Sequence, residues 1–181
     1  MKTKLRYFPL SMIYILLIGC TTTRQIKPEK FDLDPRLFKP LRSNVPIQVL
    51  VPQNAETKYL IEYSGKRKAY QILYIDLNDL YRNAKELIEM VLVSYKVPLS
   101  PNSEKCLKFV ISKVQWEIWG GGFLIGSYLD FDIETGDGYK MHYRVQDQSA
   151  NTADRAVGGT ISRAVEKIFQ DEKITAYIQL Q

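Results

Sequence analysis

The sequence predicts an α+β fold: an antiparallel β-sheet with two amphipathic helices packed on one face, in a two-layer sandwich. Three observations predict it. Residues 77–95 and 153–169 place apolar side chains at spacings of three and four, the period of a helix with one buried stripe. Between them, residues 107–145 alternate apolar and polar with a period of two, as strands covered on one side do. One-sided helices and a one-sided sheet bury their apolar faces on each other.

The folded part is expected to begin near Pro46. Ile47, Val49 and Val51 alternate with Gln48 and Leu50, a strand. Residues 59–63 and 69–75 flank Ser64-Gly65-Lys66 and predict a hairpin. The first helix follows, with Asp76 as cap, Asp79 at its positive dipole end and Pro98 as its stop. The meander opens with Leu107, Phe109 and Ile111 on odd positions and continues with Val114, Trp116 and Ile118 on even ones. Side chains alternate strictly, so that parity switch predicts a β-bulge near Ser112-Lys113.

Gly120-Gly121-Gly122 is a turn. A two-residue loop at Gly120-Gly121 sets Trp119 opposite Gly122 and Trp116 opposite Ile125. In the next hairpin, pairing Ile133 with Tyr139 brings Asp132 opposite Lys140 and Asp130 opposite His142. The last helix takes Asn151 or Thr152 as cap, with Asp154 in its first turn. Gly158-Gly159 costs this helix roughly 1 kcal/mol per glycine, which predicts a close approach to the sheet.

The N-terminus carries a different message. Lys2, Lys4 and Arg6 precede the apolar run Leu10–Ile18, and no acidic residue comes before Glu29. A positive region, a short apolar stretch and a small residue form the pattern of a secretory signal peptide. The run is shorter than the roughly 20 residues of a membrane-spanning helix. Leu17-Ile18-Gly19-Cys20 resembles the lipobox of bacterial lipoproteins. That resemblance implies cleavage between Gly19 and Cys20, a diacylglycerol on the Cys20 thiol and a further acyl group, such as palmitate, on the new amino terminus. In such lipoproteins an Asp after the cysteine favours the inner membrane. Thr21 stands there instead, so the implied place is the periplasmic face of the outer membrane.

The chain divides into a signal peptide (1–19), a lipidated cysteine with a flexible tether (20–45) and one α+β domain (46–181). Residues 21–45 hold Pro28, Pro35 and Pro40 with no sustained period. Fully extended, such a tether reaches on the order of 80 Å. Phe31, Leu33, Leu37, Phe38 and Leu41 are more apolar than a spacer needs, which allows part of it to lie on the domain or on a partner.

Charge and chemistry exclude several functions. The 25 Lys and Arg against 20 Asp and Glu give +5 for the 181 residues. Loss of Lys2, Lys4 and Arg6 with the signal peptide lowers this to about +2. Lys66-Arg67-Lys68 is a short solvated hairpin tip, and nucleic-acid binding is not expected. With Cys20 lipidated, Cys106 has no internal partner and is expected as a small buried hydrophobe. The chain's one histidine, His142, shares a polar strand face with Lys140 and Arg144. A His–Asp pair without a nucleophile or cleft is a charged sheet face. Asp130-x-Asp132-x-Glu134 lacks the glycine and distal glutamate of a calcium loop. Neither a phosphate loop nor a G-x-S-x-G elbow occurs, so no enzyme, metal or cofactor is expected.

What remains is aromatic. Trp119-Gly120-Gly121-Gly122-Phe123-Leu124-Ile125 is an apolar hairpin tip, and an apolar tip is a candidate contact for a partner or a lipid surface. The candidate residues are Trp119, Phe123 and Leu124. The order strand, helix, three-strand meander, helix, behind a lipobox, resembles small outer-membrane lipoproteins of the YajG kind, as does the closing segment Phe169–Ile178. It is also similar to LptE and to the auxiliary lipoproteins of lipid-exporting ABC systems. These resemblances imply a non-catalytic accessory subunit of an envelope assembly or transport complex, or alternatively a lipid- or glycolipid-binding lipoprotein.

Overall fold

A computed structural model describes residues 22–53, 55, 58–64, 70–119, 124–150 and 152–180. In chain order the elements are β1 (Thr22–Ile26), β2 (Gln48–Leu50), β3 (Lys58–Ser64), β4 (Tyr70–Asp76), α1 (Leu77–Ser94), β5 (Cys106–Trp119), β6 (Leu124–Thr135), β7 (Lys140–Ser149), α2 (Ala153–Gln170) and α3 (Glu172–Gln179). The fold is α+β, with helices packed on the apolar face of the main sheet.

The strands form two sheets. One has the order β2-β5-β6-β7, and the other β1-β4-β3. The hairpin β3–β4 therefore does not extend the meander's sheet. Asp76 is both the last residue of β4 and the cap of α1, accepting from the Asn78 N–H at 2.9 Å. β4 runs straight into α1 and leaves the β5 edge of the meander to another strand. β2 takes that edge and lies parallel to β5, held by Ile47 N–H to Pro98 O at 2.9 Å and Ser100 N–H to Ile47 O at 3.2 Å.

The bulge falls where parity switches. The β5–β6 register shifts between Ile111 and Lys113. Leu107, Phe109, Ile111 and Val114 are thereby all buried, facing Leu129, Phe131 and Ile133 of β6. The Tyr81 hydroxyl of α1 accepts the Ile111 N–H at 3.1 Å beside the bulge. An aromatic file runs through the core from Tyr81 to Phe109, Phe131 and Tyr143, with ring centroids 5.0–6.4 Å apart.

Both hairpin registers differ from the expected ones by two residues. Trp119 pairs with Leu124 and Trp116 with Ser127, leaving a four-residue connection rather than two. In β6–β7, Ile133 meets Met141, Asp132 meets His142 and Asp130 meets Arg144.

Thr152 caps α2, accepting from the Arg155 N–H at 3.2 Å. α1 ends on Lys96 in the left-handed conformation (φ 61°), with the Val97 N–H closing on Leu92 O at 3.0 Å, a terminus of the Schellman kind. α3 is an addition to the two expected helices. Asp171 breaks the chain out of α2 and caps α3, accepting from the Lys173 and Ile174 N–H groups at 2.8 and 3.1 Å.

The expected tether is corrected from residue 22 on. β1 pairs in parallel with β4 along all five residues, from Thr22 beside Gln71 to Ile26 beside Ile75. Residues beyond it run between α1 and α2. Ile26, Leu33, Phe38 and Leu41 are buried, and only Leu37 of the apolar set is largely exposed, at 63%. The apolar content that exceeded a spacer's need is core.

Gly158 and Gly159 make room for two different neighbours. A Cβ on Gly158 would overlap the Glu29 carbonyl, and one on Gly159 would overlap the Asp147 carboxylate of β7. The expected close approach to the sheet is the second contact; the first is to the N-terminal segment. The costs differ because one obstacle is backbone and the other is the end of a rotatable side chain. Gly158→Ala is expected to destabilise by about 2 kcal/mol and to open residues 27–41 to trypsin. In Gly159→Ala, rotation of Asp147 and a propensity gain of about 1 kcal/mol nearly cancel. Urea unfolding and limited trypsinolysis of both variants check this contrast; equal losses would contradict it.

Candidate functional site

The N-terminal segment meets both helices in the same order. Along α1, Gln25 reaches Asp79 at 3.3 Å, Lys30 pairs with Glu86, and the Tyr95 hydroxyl is shared by the Pro35 and Phe38 carbonyls. Along α2, the Lys27 N–H donates to Asp154 Oδ1 at 2.7 Å and the Glu29 N–H to Asp154 O at 3.0 Å. Further on, Phe38 stacks on Phe169 at 5.6 Å, and Lys39 pairs with Glu172 at 2.9 Å. The two helices therefore run parallel, and the segment enters their groove at the end where both begin.

The candidate hairpin tip lies at that same end. Ile125 of β6 pairs with Ser149, the last residue of β7, and α2 starts four residues later. Trp119 ends β5 opposite Leu124, which is half-buried. Phe123, Gly19 and Cys20 lie outside the described residues. Trp116 is half-buried against the core, and its indole N–H, like the Ser127 hydroxyl across from it, is buried with no hydrogen-bond partner among the described residues. An unmet buried donor costs roughly 1–3 kcal/mol, so this hairpin end is less well satisfied than the core beneath it.

His142 and the acidic strand face come together two residues away from the expected pairing. His142 Nδ1 lies 2.8 Å from Asp132 Oδ1, Lys140 Nζ 3.4 Å from Asp132 Oδ2, and Arg144 Nε 3.5 Å from Asp130 Oδ1. The His142 hydrogen bond holds the Asp132 carboxyl below its ordinary range, against a smaller effect of burial. The cations are more than half exposed, so each pair contributes no more than about 1 kcal/mol. Cys106 is half-buried at the start of β5, less enclosed than expected.

A cluster that periodicity alone assigns to the core sits at the opposite end. Tyr139 and Tyr143 share the apolar parity of β7, yet both are half-buried and turn their hydroxyls to Asp171. Tyr139 donates to Asp171 Oδ2 at 3.1 Å, and Tyr143 donates to the same oxygen. Lys173 lies over the Tyr139 ring at 5.0 Å and Lys167 over the Tyr143 ring at 5.8 Å. Together they line an open hollow of about 340 Å³. The Tyr177 hydroxyl beyond it accepts the Cys106 and Gly136 N–H groups, each at 3.0 Å, and pins α3 to the sheet. The signal for this cluster was Asp171 itself, a capping residue between two apolar helical stretches.

A cleft of about 100 Å³ lies among residues 29–32, α1 and α2, with Phe31, Leu87, Met90 and Ile161 on its walls. That is below the roughly 300–1,000 Å³ of an ordinary ligand pocket. Among the described residues no group of three His, Cys, Asp or Glu side chains could hold a metal ion, and no helix is long and apolar enough to cross a membrane.

No family model matches the sequence, and no curated protein does. Among solved structures, a minor lipoprotein from Acinetobacter baumannii is similar at 12% identity and a TM-score of 0.39, over 72% of this chain and 92% of that one. A likeness this loose carries no inference about this chain.

The Asp171 cluster makes a pH prediction. Burial pushes the Asp171 carboxyl up, but the hydrogen bonds from Tyr143, from the Ile174 and Lys173 amides and from Tyr139 together hold it below its ordinary value. A depressed folded value means stability that is present above the unfolded carboxyl value of about 3.9 and lost as pH falls through the folded one. Tyr143→Phe removes one donor, so Asp171 should titrate at a higher pH than in the parent. Carbon-detected NMR titration of the carboxyl groups measures it; an unchanged midpoint would contradict the assignment.

Proposed function

We propose that this chain is a lipoprotein of the bacterial outer membrane, held on the periplasmic face by acyl chains on Cys20, and that it works without catalysis as an accessory subunit of an envelope assembly or transport complex. The observation that carries this reading is Leu17-Ile18-Gly19-Cys20 behind a basic, then apolar, N-terminus. A lone acyl chain holds a protein only marginally, whereas two or three make the attachment durable at about 0.8 kcal/mol per buried CH₂.

A binding role is supported by what the described surface offers. His142 and Asp132 stand on an exposed sheet face, and the Tyr139–Tyr143–Asp171 cluster spends its hydrogen bonds on its own fold. The alternative role, holding a lipid or glycolipid, needs an apolar groove. Between α1 and α2 that groove is filled by Ile26, Leu33, Phe38 and Leu41, which favours a protein partner.

Metabolic labelling with a clickable palmitate analogue tests the anchor. The full-length chain should acquire the label and band with outer-membrane density, and Cys20→Ser should lose both. Equal labelling of the two would overturn the reading.

A further inference from the structure

The sequence allowed a leash of some 25 residues between the anchor and the domain. The structure removes it. β1 begins at Thr22, two residues after Cys20, and all five of its residues pair with β4. Two residues of extended chain span about 7 Å. The segment beyond β1 is fixed as well, by Asp154 at the start of α2 and by the Gly158 contact.

The direction of the chain then orients the molecule. Residues 22–26 run alongside 71–75, and residues 25–38 run alongside α1 from Asp79 to Tyr95. Traced back from there, β1 passes the start of α1 and ends beside Gln71 at the start of β4, so the anchor leaves beyond the end where α1 and α2 begin. At the other end lie Cys106, Gly136, α3 and the Asp171 cluster. β5 alone has 14 residues, so the two ends stand about 45 Å apart at roughly 3.4 Å per residue.

An independent feature marks the same end. The chain has two tryptophans, Trp116 and Trp119. Both fall in the last four residues of β5, where Trp116 pairs with Ser127 and Trp119 with Leu124. Tryptophan is enriched at the boundary between lipid and water; the Trp116 N–H is turned into the protein, so that ring can offer lipid only its exposed apolar part.

We propose that the end of the domain where α1 and α2 begin faces the phospholipid surface, with the starts of β1 and β4 nearest to it and the β5 and β6 strand ends at Trp116–Trp119 and Leu124–Ile125 on the same side, and that the Asp171 end points away from it. This rests on the anchor at Cys20. The bilayer is the occupant because Cys20 stands two residues before β1, on the side of the domain to which β1 runs back past the start of α1. A protein partner would then meet the chain from the side or the far end.

The test uses the full-length, acylated protein in vesicles of phosphatidylethanolamine and phosphatidylglycerol, with and without brominated acyl chains. Tryptophan emission should fall with brominated lipid and not with the unbrominated vesicles. As a second readout, nitroxides go on Gln148→Cys near the hairpin end and on Asn102→Cys at the far end, both in a Cys106→Ser background. The Gln148 label should be broadened by a paramagnetic headgroup lipid and the Asn102 label should not. Acylated, vesicle-bound protein with unquenched tryptophan and two equally unaffected labels would overturn this orientation while leaving the anchor intact. A chain that carries no acyl group and does not float with vesicles would overturn the anchor, and this proposal with it.

Discussion

The Glu29 backbone lies directly on Gly158 in the groove between α1 and α2, and much of the molecule follows from that contact. Without a side chain at Gly158, extended chain can sink between two parallel helices. It then delivers Ile26, Leu33, Phe38 and Leu41 into the same core that the sheet closes from the other side. Asp154 supports the entry point: its carboxylate sits in the first turn of α2, where the helix dipole favours negative charge, and takes both the Arg24 side chain and the Lys27 N–H. The two helices are bridged by this segment along its whole run.

That packing changes what the N-terminus does. A leash would let the domain sample tens of ångströms above a membrane, with no preferred face. A strand hydrogen-bonded two residues from Cys20, the anchor proposed above, would pass the anchor's location on to the sheet. The far end, with its tyrosines and lysines around Asp171, would then be the part of the surface most remote from lipid.

Much of the fold was legible in the sequence, and the failures share a cause. The bulge at Ser112 was legible because a parity switch has one simple physical reading. The caps Asp76 and Thr152 were legible because their short polar side chains precede clear apolar periods. Both hairpin registers were displaced by two residues. A slip of one residue turns every side chain to the wrong face, but a slip of two preserves the faces, so alternation cannot tell the two registers apart. The N-terminal segment was misread as a tether because extended chain in a groove between helices has no period to detect. α3, at eight residues, was too short to show a helical stripe of its own. Of the candidate contact residues, Leu124 and the backbone of Trp119 are placed together at the hairpin end. The Tyr139–Tyr143–Asp171 cluster was hidden because tyrosines on an apolar parity look like core until a half-buried carboxylate is known to face them.

Native-state hydrogen exchange of residues 24–41 tests the central claim most directly. If the segment is part of the domain, the amides of Lys27 and Glu29, bonded to Asp154, should exchange only through openings as costly as those of α1 and α2. Exchange at the rates of an unstructured peptide, with α1 and α2 still protected, would contradict it and restore the leash.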